Sequence, residues 1–170
     1  HLSDQNLLDD AVWSRIKRDL DNGVYAAVFA SPPCRTFSEV RSKRPGPPVL
    51  RDAEHPYGYP RSQAKERGLS DSHFTMLRED NLLADRTAEA GRIMLQQGGV
   101  FGAEQPHPWR TGFSMFSLAA FQELVDGGAE VVVFDQCPFG AESRKPTQIL
   151  YFGADFTKLK ASCSHPIVTQ

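Results

Sequence analysis

A cysteine delivered by two prolines is the first chemically marked feature of this chain. Pro32 and Pro33 follow the run Tyr25 to Phe29, which reads as a buried strand. Proline fixes φ and removes the amide donor, so the strand cannot go on pairing and Cys34 is carried out at the sheet edge. In an open α/β sheet, ligands bind at the carboxyl ends of the strands. Two further strand ends are marked. Glu104 closes the run Val100–Glu104 and is followed by Gln105 and Pro106, and Arg144-Lys145 stands just before the run Gln148–Gly153. Cysteine adds to electron-poor ring carbons, a carboxyl hydrogen-bonds ring and exocyclic nitrogens, and arginine orients a ring or a phosphate.

The elements that must position these groups follow from periodicity and punctuation. Asp9 or Asp10 caps a helix to about Asp21, with Val12, Trp13, Ile16 and Leu20 as its apolar stripe, and Asn22-Gly23 ends it. Ser70-Asp71-Ser72 opens a long helix over His73–Gln97, with a possible break at Asp80-Asn81, and Gly98-Gly99 stops it. A further helix runs from about Ser114 to Val125, and Glu130–Asp135 is a third strand. Strands alternating with helices predict an α/β sheet, mostly parallel. The last two strands lack a helix between them, which predicts an antiparallel pair. The loop 39–69, rich in proline and glycine, is long for a compact domain, as functional or disordered loops are.

Composition excludes several classes. With 170 residues the chain suits one domain, taken as 1–170, and no run approaches the ~20 apolar residues of a membrane helix. Cys34, Cys137 and Cys163 show no CxxC spacing and leave one thiol unpaired, which fits a reducing, intracellular setting, nucleus or cytoplasm. Net charge is −2, yet residues 35–67 hold eight basic residues against four acidic ones, a local +4 that leaves −6 on the remainder. A basic loop beside a candidate site favours an anionic partner, and a solvated loop is the plainer explanation. Cys163 and His165 suggest a metal, but two ligands without a partner pair do not make a site, and Cys137 reads as packing. A zinc deaminase is excluded because neither His-x-Glu nor Pro-Cys-x-x-Cys occurs.

Pro32-Pro33-Cys34-Arg35-Thr36-Phe37-Ser38 resembles the Pro-Pro-Cys-Gln-x-Phe-Ser nucleophile motif of the DNA cytosine-5 methyltransferases. Glu104-Gln105-Pro106 resembles that family's Glu-Asn-Val/Pro motif, and Phe139-Gly140-Ala141-Glu142-Ser143-Arg144 its Tyr-Gly-x-Pro-Gln-x-Arg-x-Arg motif. The three occur in family order, and the match covers roughly residues 20–155. The resemblance implies a Rossmann-like methyltransferase fold. This is a three-layer sandwich with a mostly parallel sheet and an antiparallel last strand, incomplete at the N-terminus. It implies that Cys34 adds to C6 of cytosine, that Glu104 bonds N3 and the exocyclic amine, and that Arg144 lies near the base. Pro33, Arg35, Ser38, Gln105, Pro106 and Lys145 then contact substrate, and Ser31 and Pro32 the cofactor. The implied cofactor is S-adenosylmethionine, the partner is nucleic acid, DNA by resemblance, and the base is flipped from its stack. Arg35 beside Cys34 is expected to favour the thiolate.

Departures from the family pattern matter. Arg35 stands for Gln, Gln105 for Asn, and Pro146 for a second Arg. No Phe-x-Gly-x-Gly turn for the cofactor is present, so the resemblance implies a need for an N-terminal part or a partner chain. Looser likenesses point to methyltransferase-like domains of mobile-element-type polyproteins. Three alternatives stay open. One is a non-catalytic binding or scaffold domain, and one is an amino-methyltransferase using Ser31-Pro32-Pro33. The third is a structural role for Cys34, since free cysteine is among the most buried residues. His107 and Trp109 line the same cleft or the core.

Overall fold

The computed structural model describes residues 5–43, 45–108 and 113–165. Helix α1 spans Asp10–Asp21, and Asp9 caps it by accepting the Ala11 N–H at 2.7 Å. Strand β1 is Ala27–Ala30, helix α2 is Asp71–Gln97, and strand β2 is Val100–Pro106. Helix α3 is Ala119–Asp126, followed by strands β3, Glu130–Asp135, and β4, Pro146–Phe152. No helix among the described residues is long and apolar enough to cross a membrane.

Helix α2 runs without a break through Asp80-Asn81. Both polar side chains have partners outside the helix, so neither competes for its backbone bonds. The helix ends where Gly98 takes a left-handed conformation that favours glycine, with φ +67°, and sends its N–H to the Leu95 carbonyl. Helix α3 starts later than its sequence predicts. Ser114 caps a 3-10 turn over Met115–Ser117, and extended Leu118 separates that turn from the helix.

The four strands form one open sheet in the order β1-β2-β4-β3. β1 pairs with β2 in parallel, and β4 is antiparallel to both β2 and β3. β1, β2 and β3 therefore share one direction, and β4 is inserted between two of them. The connections through α2 and α3 both advance across the sheet the same way. Right-handed crossovers then place both helices on one face.

That face holds the main core. Phe101, Ala103, Leu150 and Phe152 of the sheet meet Ile93 and Met94 of α2, Phe121 and Leu124 of α3, and Leu20 of α1. Each fully buried large side chain contributes roughly 1.5–3 kcal/mol. On the opposite face Val132, Ile149 and Tyr151 pack with Phe134, Phe156 and Leu159, and no α-helix among the described residues lies over them. The expected three-layer arrangement is thus present as one helical layer and a short C-terminal strap. The expected burial of the first strand is also corrected. Phe29 is 60% exposed because β1 lies at the sheet edge and this side chain, unlike Val28, is on the side away from the helices.

Gly153 closes β4 with φ +76°, and a Cβ there would lie 2.4 Å from the Gly99 carbonyl oxygen. Gly153→Ala is expected to cost roughly 1–3 kcal/mol in chemical denaturation, more than Gly140→Ala, where φ is +93° and no atom lies within 4 Å. Equal losses would mean that the close approach to Gly99 contributes nothing.

Candidate functional site

Past Ala30 the chain leaves the ladder and turns. The Cys34 carbonyl accepts the N–H groups of Phe37 at 2.9 Å and Ser38 at 2.8 Å, which holds the thiol half-buried at the turn. The turn is fixed from below by Asp80 of α2, whose exposure is 0%. Asp80 accepts the Thr36 hydroxyl at 2.6 Å, the Thr36 N–H at 3.2 Å and Arg35 Nε at 2.7 Å. The Thr36 hydroxyl in turn accepts Arg51 Nη2 at 2.9 Å, and the Arg51 guanidinium lies 3.7 Å from the Phe37 ring centre. Burial pulls Arg51 down to about 10, so it stays charged at neutral pH.

The basic loop is folded by its own cations. Arg51 donates to the Pro56 carbonyl at 2.7 Å, and Arg41 donates to the Arg35 and Pro48 carbonyls. Arg61 pairs with Asp71 at 2.6 Å, and Arg67 lies 3.5 Å over the Tyr59 ring. Asn81 of α2 donates to the Tyr57 carbonyl at 2.8 Å. Two 3-10 turns, Glu39–Ser42 and Arg61–Gln63, appear in the stretch that the sequence left without structure. Much of the local positive charge is therefore spent inside the loop, while Lys43 and Lys65 stay exposed.

The end of β2 supplies the other wall. Ala30 pairs with Ala103, so the next residues, Ser31 and Glu104, face each other just past the ladder. The Ser31 hydroxyl donates to Glu104 Oε2 at 2.7 Å, and Gln105 Nε2 donates to the Pro32 carbonyl at 2.8 Å. Three buried polar atoms here, Glu104 Oε1, Gln105 Oε1 and His107 Nδ1, have no hydrogen-bond partner among the described residues. Buried polar atoms are nearly always paired, so these atoms are open to a water or a ligand at this strand end.

Burial, the largest influence, pushes the Cys34 thiol above the ordinary cysteine range. The Glu104 and Asp80 carboxylates push the same way, and Lys145 opposes them. Arg35 does not act on the thiol as the sequence suggested, because its guanidinium is held by Glu79 at 2.6 Å and by Asp80. Lys145 is the cation that acts on Cys34, and it adopts a left-handed backbone with φ 34°.

Cys34, Glu104, Lys145, Ser31, Pro32 and Gln105 thus meet at the ends of β1, β2 and the entry to β4. Arg144 instead pairs with Asp135 at 3.0 Å. Ser38 caps the following turn by accepting the Val40 N–H, Pro33 is exposed, and the Pro106 carbonyl accepts Gln148 Nε2 at 3.3 Å. Trp109 lies outside the described residues. Sequence reading missed Asp80, whose only local signal is an acidic residue amid apolar neighbours on a helix.

A groove of about 660 Å³ runs along the outer edge of β1, lined by Leu7, Trp13, Phe29, Ser31, Pro32 and Arg86 among others. Arg86 holds the preceding segment in place through the Leu7 carbonyl and the Asp10 carboxylate. No aspartate, glutamate or glycine is among the described residues lining the groove. No protein-family model, curated protein or solved structure matches the chain.

Removing the carboxylate at the centre takes the acceptor from the Thr36 N–H and hydroxyl and leaves Arg35 with Glu79 alone. Asp80→Ala is expected to cost toward the lower end of roughly 3–5 kcal/mol, because Arg35 is partly solvated. It should also open residues 39–69 to limited proteolysis. A protease pattern unchanged from the parent chain would show that the loop is held by other contacts.

Proposed function

We propose that the chain is the base-binding half of a Rossmann-like, cytosine-5 methyltransferase-type domain, with Cys34 as nucleophile toward a flipped pyrimidine. The observation that carries this reading is the orphaned, buried Glu104 Oε1 beside the half-buried Cys34 thiol at the ends of neighbouring parallel strands. An exocyclic amine of cytosine is the donor that Glu104 Oε1 lacks. Three strands sharing one direction with an antiparallel strand among them support the fold assignment.

The chemistry assigned to this chain balances without a second reactant. The Cys34 thiolate forms a bond to C6, the C5–C6 π pair moves to C5, and C5 takes a proton from water. Reversal expels the thiolate and returns either hydrogen of C5 to water. Glu104 holds the ring so that C6 faces sulfur.

S-adenosylmethionine would supply the methyl group when bound. The described residues of the groove do not fit it, because no carboxylate is there for the ribose diol and no glycine turn for the methionine part. Ser31 and Pro32 touch that groove, but Ser31 is already committed to Glu104. No methyl-transfer step is therefore assigned to this chain alone. A second reading, a non-catalytic nucleic-acid-binding module, is favoured by the raised Cys34 thiol and by the same misfit. The amino-methyltransferase reading fares less well, since Cys34 offers no ring on which to stack a base.

Exchange of the cytosine 5-hydrogen in deuterated water separates the two readings and needs no methyl donor. Proton NMR of a cytosine-containing single strand should lose its H5 signal in the presence of the chain. Cys34→Ser should abolish the loss, and Glu104→Gln should slow it by roughly 10²-fold. The thiolate is the active form and its pKa is raised, so the rate should keep climbing with pH beyond the ordinary thiol range. Binding of the strand without exchange, unchanged in Cys34→Ser, overturns the enzymatic reading.

A further inference from the structure

The sequence separates Cys137 from Cys163 and His165 by more than twenty residues, and the fold brings them together. Cys137 lies just beyond the end of β3, buried, at the start of a 3-10 turn. The C-terminal segment returns to the same strand end and is fastened there by Asp135. The Asp135 N–H donates to the Ala161 carbonyl at 2.8 Å, and Asp135 Oδ2 accepts the Cys163 N–H at 2.7 Å. Asp135 is itself buried and holds Arg144 through its other oxygen. The result is a cluster in which Cys137 Sγ, Cys163 Sγ and one ring nitrogen of His165 lie within 4.8 Å of one another.

We infer that Cys137, Cys163 and His165 ligate one zinc ion. Two thiolates and an imidazole are the donor set of a borderline-soft d¹⁰ cation, and three protein ligands leave a fourth position for water or an incoming group. Zinc–sulfur bonds near 2.3 Å and zinc–nitrogen bonds near 2.0–2.1 Å, at tetrahedral angles, set sulfur and nitrogen about 3.5 Å apart. Cys163 Sγ and His165 Nδ1 are 3.4 Å apart. Asp135 supplies the outer support that metal sites require, because it holds the backbone of one ligand directly.

The ion ties two parts of the molecule. One is the connector between β3 and β4, which starts at Cys137 and ends by presenting Lys145 to Cys34. The other is the strap carrying Phe156 and Leu159, which covers the second face of the sheet. The site stands apart from the proposed base chemistry and does not rest on it. A disulfide between Cys137 and Cys163 is the rival use of the two thiols and would leave His165 without a role.

The test uses the full chain, reduced and stripped with a chelator, then titrated with zinc against a chromophoric chelator. One zinc per chain is expected, and cobalt in its place should give a thiolate-to-metal charge-transfer band with tetrahedral visible bands. Cys163→Ser and His165→Ala should each weaken zinc binding by at least the roughly 10–100-fold that outer-shell changes cost, whereas Cys34→Ser should not. Zinc should also protect the segment after Phe152 from proteolysis. Absence of zinc binding at micromolar metal overturns the assignment, and so does stoichiometric zinc that survives Cys163→Ser. Conversion of the chain to a Cys137–Cys163 disulfide in a cytosol-like glutathione buffer, with no zinc retained, overturns it too.

Discussion

A single buried carboxylate organises this molecule. Asp80 sits on the inner side of a 27-residue helix with no solvent exposure, yet it accepts two side-chain groups and a main-chain amide from the Cys34 turn. A buried charge is tolerable only when its lone pairs are filled. The Asp80 requirement and the turn's requirement are therefore met together. Through the Thr36 hydroxyl the same centre reaches Arg51, and through Arg51 it reaches the loop carbonyl of Pro56 and the ring of Phe37. The position of the thiol is thus set by a helix that never touches the sheet edge in sequence.

Most element types were legible because they depend on local chemistry. The cap at Asp9, the stop at Gly98 and the missing helix between β3 and β4 each announce themselves within a few residues. What was not legible depends on position in the whole. Phe29 belongs to an apolar run like any buried strand, and only the strand order leaves it at an edge. Arg35 is adjacent to Cys34 in the chain, but the turn sends its guanidinium toward α2, and Lys145, 111 positions away, becomes the cation that acts on the thiol. The positive charge of residues 35–67 looked like a surface for anions, and much of it is used to hold the segment's own backbone and rings.

The site combines firm placement with incomplete satisfaction. Ser31, Pro32, Glu104 and Gln105 lace the two strand ends where backbone pairing stops. Beside them Glu104 Oε1, Gln105 Oε1 and the nearby His107 Nδ1 have no partner among the described residues. Such groups carry a standing desolvation cost, and a ligand that supplies hydrogen-bond partners recovers it. The left-handed Lys145 is strained in the same neighbourhood. Departures from local preference gather here, as expected where function and stability compete.

The antiparallel insertion of β4 has a kinetic meaning. β4 pairs with both β2 and β3, whereas those two strands never pair with each other. Until residues 146–152 arrive, β3 has no partner in the sheet and β2 has only β1. β4, the last of the described strands, is therefore the keystone of assembly, and its pairings with β2 close loops of about 45 residues. On the ribosome, the helices and the Cys34 turn can gather early. The wall that carries Glu104 becomes a central strand only after residues 146–152 have emerged.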